Sequence, residues 1–81
     1  QSKKAIKLAE NAIVLSDSIG YKEGELIARR ILAEVYWNGS DYNNALEMAN
    51  DAIIHAEKIE MPLETAKIYI VYGLVFSDLG E

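Results

Sequence analysis

The chain has 81 residues, of which 51% are hydrophobic and 26% are charged, a composition typical of one ordered globular domain and not of a disordered chain. Cysteine is absent, which excludes disulfides, thiolate nucleophiles and cysteine-ligated metal sites. The net charge of −5 would repel a phosphate backbone, and the uncharged stretch Ile68–Ser77 is too short to span a membrane. We therefore expect neither a nucleic-acid partner nor a membrane partner.

Four segments have helical periodicity, and short turn signals separate them. The predicted helices cover Lys3–Asp17, Glu23–Asn38, Asp41 or Tyr42–Lys58, and Pro62–Leu79. Gly20 supplies a left-handed stop after the first helix, and Pro62 suits the first turn of the fourth because its missing N–H would have been unpaired there. The sequence thus predicts an all-α fold of four helices in a single domain over residues 1–81.

The first and third helices each carry a stripe of small residues at spacings of three and four, which places each stripe on one helix face. The stripes are Ala5, Ala9, Ala12 and Ser16 in the first helix, and Ala45, Ala49, Ala52 and Ala56 in the third. A shift of 40 residues aligns the two halves without a gap and gives six identities, among them Ile13 with Ile53 and Val35 with Val75. This pattern predicts a helical-repeat solenoid of antiparallel helix pairs.

The segment Leu32–Ala45, which reads LAEVYWNGSDYNNA, resembles the tetratricopeptide repeat family. The resemblance lies in the Leu, the small residue and the aromatic of a first helix, the acidic-aromatic turn and the Ala of a second helix. Tyr72–Phe76 and Leu79–Glu81 restate the first-helix half. The repeat is longer than the usual length of about 34 residues, and Arg29 stands where a large aromatic is common. The longer period resembles the repeats of bacterial signalling regulators.

The resemblance implies a non-catalytic protein-interaction or scaffolding module of a larger cytoplasmic protein, with no cofactor. In the family, the first helix of each pair lines a concave groove that binds a protein or peptide. Carried onto this chain, the partner-binding residues are Ile27, Arg30, Ile31, Glu34, Trp37, Asn38, Lys67, Ile70, Val71, Leu74 and Ser77. Arg30 would suit a partner's terminal carboxylate but Ile31 and Glu34 would not, so no carboxylate clamp is expected.

Two other functions stay open at this point. The chain is either a structural self-oligomerisation element, or a domain that senses a ligand or signalling peptide and acts on an output domain such as a kinase, cyclase or DNA-binding unit. Full-length context would separate the second of these from a scaffold.

No residue pattern indicates an enzyme or a metal site. His55 is the only histidine, and with Asp51 one turn before it the pair is interpreted as a feature of a helix surface. The acidic residues near helix starts, such as Glu64, are attributed to the helix dipole. Arg29 and Arg30 are interpreted as parts of a solvated helix face. Catalytic, cofactor-binding and metal-binding residues are therefore not predicted.

The fourth helix predicts self-association, because Ile68–Phe76 is apolar on every side and needs cover all round. The candidate residues for a homodimer contact are Ile68, Val71, Tyr72, Leu74 and Val75. At the other end, Lys3 and Lys4 lie in a first helical turn, where cations oppose the dipole. We therefore expect the polypeptide to continue upstream with a helix that packs on the first small-residue stripe.

Overall fold

The computed structural model describes residues 2–80, and these form four α-helices and no strand, which confirms the all-α prediction. The helices are α1 (Lys3–Ser18), α2 (Lys22–Asn38), α3 (Tyr42–Ala56) and α4 (Pro62–Asp78). The predicted ends agree to within two residues, and the largest difference is at α3, which ends before Lys58 because the chain turns at 57–58. Gln1 and Glu81, the ends of the predicted domain, lie outside the described residues.

The helix ends follow from short-range chemistry. The Ser2 side chain caps α1 by accepting a hydrogen bond from the backbone N–H of Ala5 at 3.1 Å. Gly20 has a φ of 73° after α1, as the sequence predicts, and Gly80 has a φ of 83° after α4. Ser40, which lies 40 residues before Gly80, has a φ of 62° after α2. A serine therefore holds a left-handed conformation that glycine adopts more readily.

We expect Ser40→Gly to raise the free energy of unfolding by about 0.5–1 kcal/mol, because the left-handed conformation disfavours any residue with a Cβ. Urea denaturation would measure the change. Ser77→Gly is the matched control: Ser77 lies inside α4 and is exposed, so glycine there should lower stability. Equal losses in both variants would contradict the assignment of strain to position 40.

Helix α2 is central to the packing, because it contacts α1, α3 and α4, and α3 and α4 also contact each other. Two clusters of buried side chains hold these helices together. The first consists of Ala33, Ala45, Ala49, Val71 and Val75, and the second of Leu26, Ala52, Ala56 and Ile68. The small side chains of α3 let helices approach closely on both sides.

The two small-residue stripes differ in burial. All four stripe residues of α3 are buried, because α2 and α4 both cover them. In α1 only Ala9 is buried, and Ala12 is exposed, because among the described helices α1 packs on α2 alone. One side of the α1 stripe therefore stays open.

The structure places most of the predicted self-association residues inside the chain's own core. Ile68, Val71 and Val75 are buried against α2 and α3, and Tyr72 is half-buried, so only Leu74 of the five is exposed. The apolar side chains that α4 does expose are Leu63, Tyr69, Ile70 and Leu74. A contact with another molecule would have to use this exposed set.

Candidate partner-binding groove

A groove with a volume of about 210 Å³ lies between α2 and α4. It brings together seven of the residues that the sequence assigned to partner binding: Glu34, Trp37, Asn38, Lys67, Ile70, Val71 and Leu74. Four of them are apolar or aromatic, and Glu34 and Lys67 add one charge of each sign. Such a lining is suited to apolar side chains, with polar groups at its edge to orient them.

The floor and the rim of this groove differ in exposure. Val71 is 4% exposed and belongs to the core, whereas Ile70 and Leu74 are 62% and 40% exposed. At one end, the indole N–H of Trp37 donates a hydrogen bond of 2.6 Å to the Asp78 carboxylate, which joins α2 to the end of α4. Ile70 and Leu74 are therefore the apolar side chains that a ligand can reach without disturbing the core.

The other predicted partner-binding residues lie elsewhere. Ile27 and Ile31 line a different groove, between α1 and α2, and Ser77 is exposed but does not line the α2–α4 groove. Arg30 is engaged within the chain: its guanidinium bonds to Glu34 at 2.7 Å and to Glu64, and the arginine side chain is 13% exposed. The prediction that Arg30 faces a ligand in the groove is not supported by this placement.

The Arg30 ion pairs fix the distance between the two walls of the groove. Burial disfavours the charged guanidinium, but hydrogen bonds from Arg30 to Glu64 and Glu34 outweigh that cost and raise the pKa of Arg30 above its ordinary value. Because Glu64 lies on α4 and Glu34 on α2, Arg30 holds one helix to the other.

Arg29 makes the corresponding connection between α2 and α3. It bonds to Glu25 at 2.8 Å and to Asp51 at 2.5 Å. The hydrogen bond from Arg29 lowers the pKa of Glu25 although burial acts in the opposite direction. His55 lies beside this cluster, with its Nε2 atom 3.7 Å from the Glu25 carboxylate and its Nδ1 atom 2.9 Å from the backbone oxygen of Asp51. His55 is half-buried between helices, more enclosed than a residue of an open helix surface.

The interpretation of Arg29 and Arg30 as a solvated face is wrong, because their side chains are only 16% and 13% exposed. A signal was available in the sequence: Glu25 precedes Arg29 by four residues, and Glu34 follows Arg30 by four. Such spacing allows ion pairs along one helix. The carboxylates contributed by α3 and α4 could not be inferred from local spacing.

A larger groove, with a volume of about 580 Å³, lies between α1 and α2. It is lined by Ala5, Leu8, Ala9, Ala12, Ser16, Tyr21, Gly24, Ile27, Ala28, Ile31 and Val35. None of these residues carries a charge. The groove includes the open side of the α1 stripe, where the sequence led us to expect an additional helix.

Searches for other functional features gave two negative findings for the described residues. Within 2–80, no three or more His, Asp or Glu side chains are grouped so that they could hold a metal ion. No helix in the same range is both long enough and apolar enough to cross a membrane.

No family model, curated protein or solved structure matches the chain.

Proposed function

We propose that the chain is a non-catalytic protein-interaction module of a larger regulatory protein, and that the α2–α4 groove binds a polypeptide segment with apolar side chains. In this proposal the chain is a portion of a tetratricopeptide-like solenoid. Helices α2 and α4 are the first helices of antiparallel pairs, and α1 and α3 are second helices. A cytoplasmic location belongs to the same proposal, and a chain without cysteine suits a reducing compartment.

The observation that carries the proposal is the clustering of seven predicted residues in one groove. They come from two helices more than 30 positions apart in sequence, yet they line one continuous depression. The exposed aliphatic side chains of Ile70 and Leu74 project from its rim, and exposed aliphatics in a concave setting often mark an interface. The buried residues beneath them keep the surface rigid, so little ordering is needed on binding.

The charges at the groove narrow the class of partner. Glu34 is already paired with Arg30 in the structure, whereas Lys67 is exposed at the opposite wall. We therefore expect the preferred segment to combine apolar side chains with an acidic residue that meets Lys67. This charge would act mainly on selectivity, because exposed ion pairs contribute only about 0–1 kcal/mol.

A displayed library of random peptides, selected on the immobilised chain, would supply a probe ligand. Trp37 is the only tryptophan and lines the groove, so its fluorescence reports directly on peptide binding. We expect selected peptides to change Trp37 emission, and we expect the Ile70→Glu/Leu74→Glu variant to bind them at least about tenfold more weakly, since buried contact side chains each contribute about 1 kcal/mol or more.

Val14→Glu/Leu15→Glu is the matched control, because Val14 and Leu15 are equally apolar and exposed on α1 and do not line the groove. This control should bind the peptides as the wild type does. Equal loss of affinity in both double variants, or full affinity in the Ile70→Glu/Leu74→Glu variant with unchanged helix content, would contradict the proposal.

A further inference from the structure

We propose that the α1–α2 groove binds the outer face of α4 from a second copy of the chain, so that copies stack head to tail. We define the outer face of α4 as Ala66, Tyr69, Ile70 and Gly73, all of which are exposed. This contact is distinct from binding of a foreign peptide in the α2–α4 groove. It also differs from a two-fold contact, because each copy contributes two different surfaces.

The chain contains its own template for such a contact, because α2 packs on α3 and α4. Each residue that lines the α1–α2 groove has a counterpart 40 positions later in the sequence. Eight of these eleven counterparts are buried: Ala45, Ala49, Ala52, Ala56, Glu64, Ile68, Val71 and Val75. Seven of the eight belong to the two core clusters in which α2 also takes part. The α1–α2 groove is thus the open form of the surface that α2 covers on α3 and α4.

The helix that fills the covered surface has a counterpart on α4. The buried side chains that α2 inserts are Leu26 and Ala33. Their counterparts 40 residues later are Ala66 and Gly73, which α4 leaves exposed. Close approach at position 33 requires a small side chain, and Gly73 is smaller still. A Cβ placed at Gly73 would meet no other atom within 4 Å, so nothing in the same copy occupies this space.

Charge distinguishes α4 from an arbitrary apolar helix as the occupant. In the covered surface, Arg29 and Arg30 of α2 bond to Asp51 and Glu64. In the open groove the counterparts of the two acids are Asn11 and Gly24, and on α4 the counterparts of the two arginines are Tyr69 and Ile70. Both surfaces have therefore lost their charges together. An occupant with the arginines of α2 would bury them without acids, whereas α4 would not.

Because the two surfaces differ, each copy that binds through its groove keeps its own α4 free for the next copy. Contacts of this heterologous kind form open stacks unless a rotation closes them into a ring. The wild-type mass should therefore rise with concentration beyond twice 9.0 kDa.

Two variants test the contact, each of which blocks one surface. Gly73→Gln places a long side chain on the outer face of α4, and Ala12→Gln places one in the groove. Both positions are exposed, and glutamine is a good helix former, so both variants should keep the fold. Sedimentation velocity of the 81-residue chain from micromolar to millimolar concentration should show stacks for the wild type and monomers for each variant. Gly73→Ala is the control and should still stack, because Ala33 occupies the equivalent position in the covered surface.

An equimolar mixture of the two blocked variants makes the test specific. Each variant retains the surface that the other has lost, so the mixture should form a dimer and no larger species. A wild-type chain that stays monomeric over the whole range would overturn the proposal, as would occupation of the groove by an upstream helix that prevents stacking. A wild-type dimer that does not grow, together with a mixture that stays monomeric, would show a two-fold contact and overturn it equally.

Discussion

Arg30→Ala is expected to lower the free energy of unfolding by about 3–5 kcal/mol, which is the usual cost of removing one partner from a buried ion pair. The reason is that the substitution leaves Glu64 without its partner on α2, and that carboxylate is only 7% exposed. The loss is large beside a total stability of about 4–12 kcal/mol for a domain of this size. Urea denaturation followed by circular dichroism would measure it.

Arg30→Met/Glu64→Leu is the matched double variant. It removes both charges and replaces them with apolar side chains, so most of the lost stability should return. The chain already has this arrangement 40 residues out of register, where Ile70 and Gly24 stand in place of Arg30 and Glu64. A loss below about 1 kcal/mol in Arg30→Ala would mean that the ion pair contributes no more than an exposed one.

Leu26→Ala is expected to cost about 2–5 kcal/mol, because the substitution removes a fully buried side chain from the contact of α2 with α3 and α4. Ala52, Ala56 and Ile68 surround this side chain, and the alanines cannot fill the resulting cavity. Thermal unfolding would report the loss as a lower midpoint.

Leu63→Ala is the control for this substitution. Leu63 is 71% exposed in the first turn of α4, so its loss should change stability by no more than about 0.5 kcal/mol. Similar losses for the two leucines would contradict the assignment of Leu26 to the core.

The helices and the α3 stripe could be predicted because both depend on local patterns. Spacings of three and four define a helix face, and small residues at Ala45, Ala49 and Ala52 mark a surface of close approach. The burial of α4 could not be predicted in the same way. Its apolar residues surround the helix, so periodicity does not indicate that Val71 and Val75 face inward while Tyr69 and Ile70 face outward.

The candidate groove was predictable where a residue's role depended only on its position in the repeat. Trp37, Ile70 and Leu74 were assigned in this way, and the structure places them in one groove. Arg30 was assigned in the same way, but its guanidinium bonds to Glu64 of another helix. The partner of a long charged side chain depends on tertiary packing, which a repeat pattern does not encode.

Amide NMR of the isotopically labelled chain, titrated with a library-selected peptide, is the most direct test of the interaction-module proposal. The proposal predicts that the largest shift changes cluster at the residues lining the α2–α4 groove, above all Trp37, Ile70 and Leu74, while α1 and the exposed side of α3 remain unchanged. Shift changes confined to α1 or to the exposed side of α3, with none at the α2–α4 groove, would contradict it.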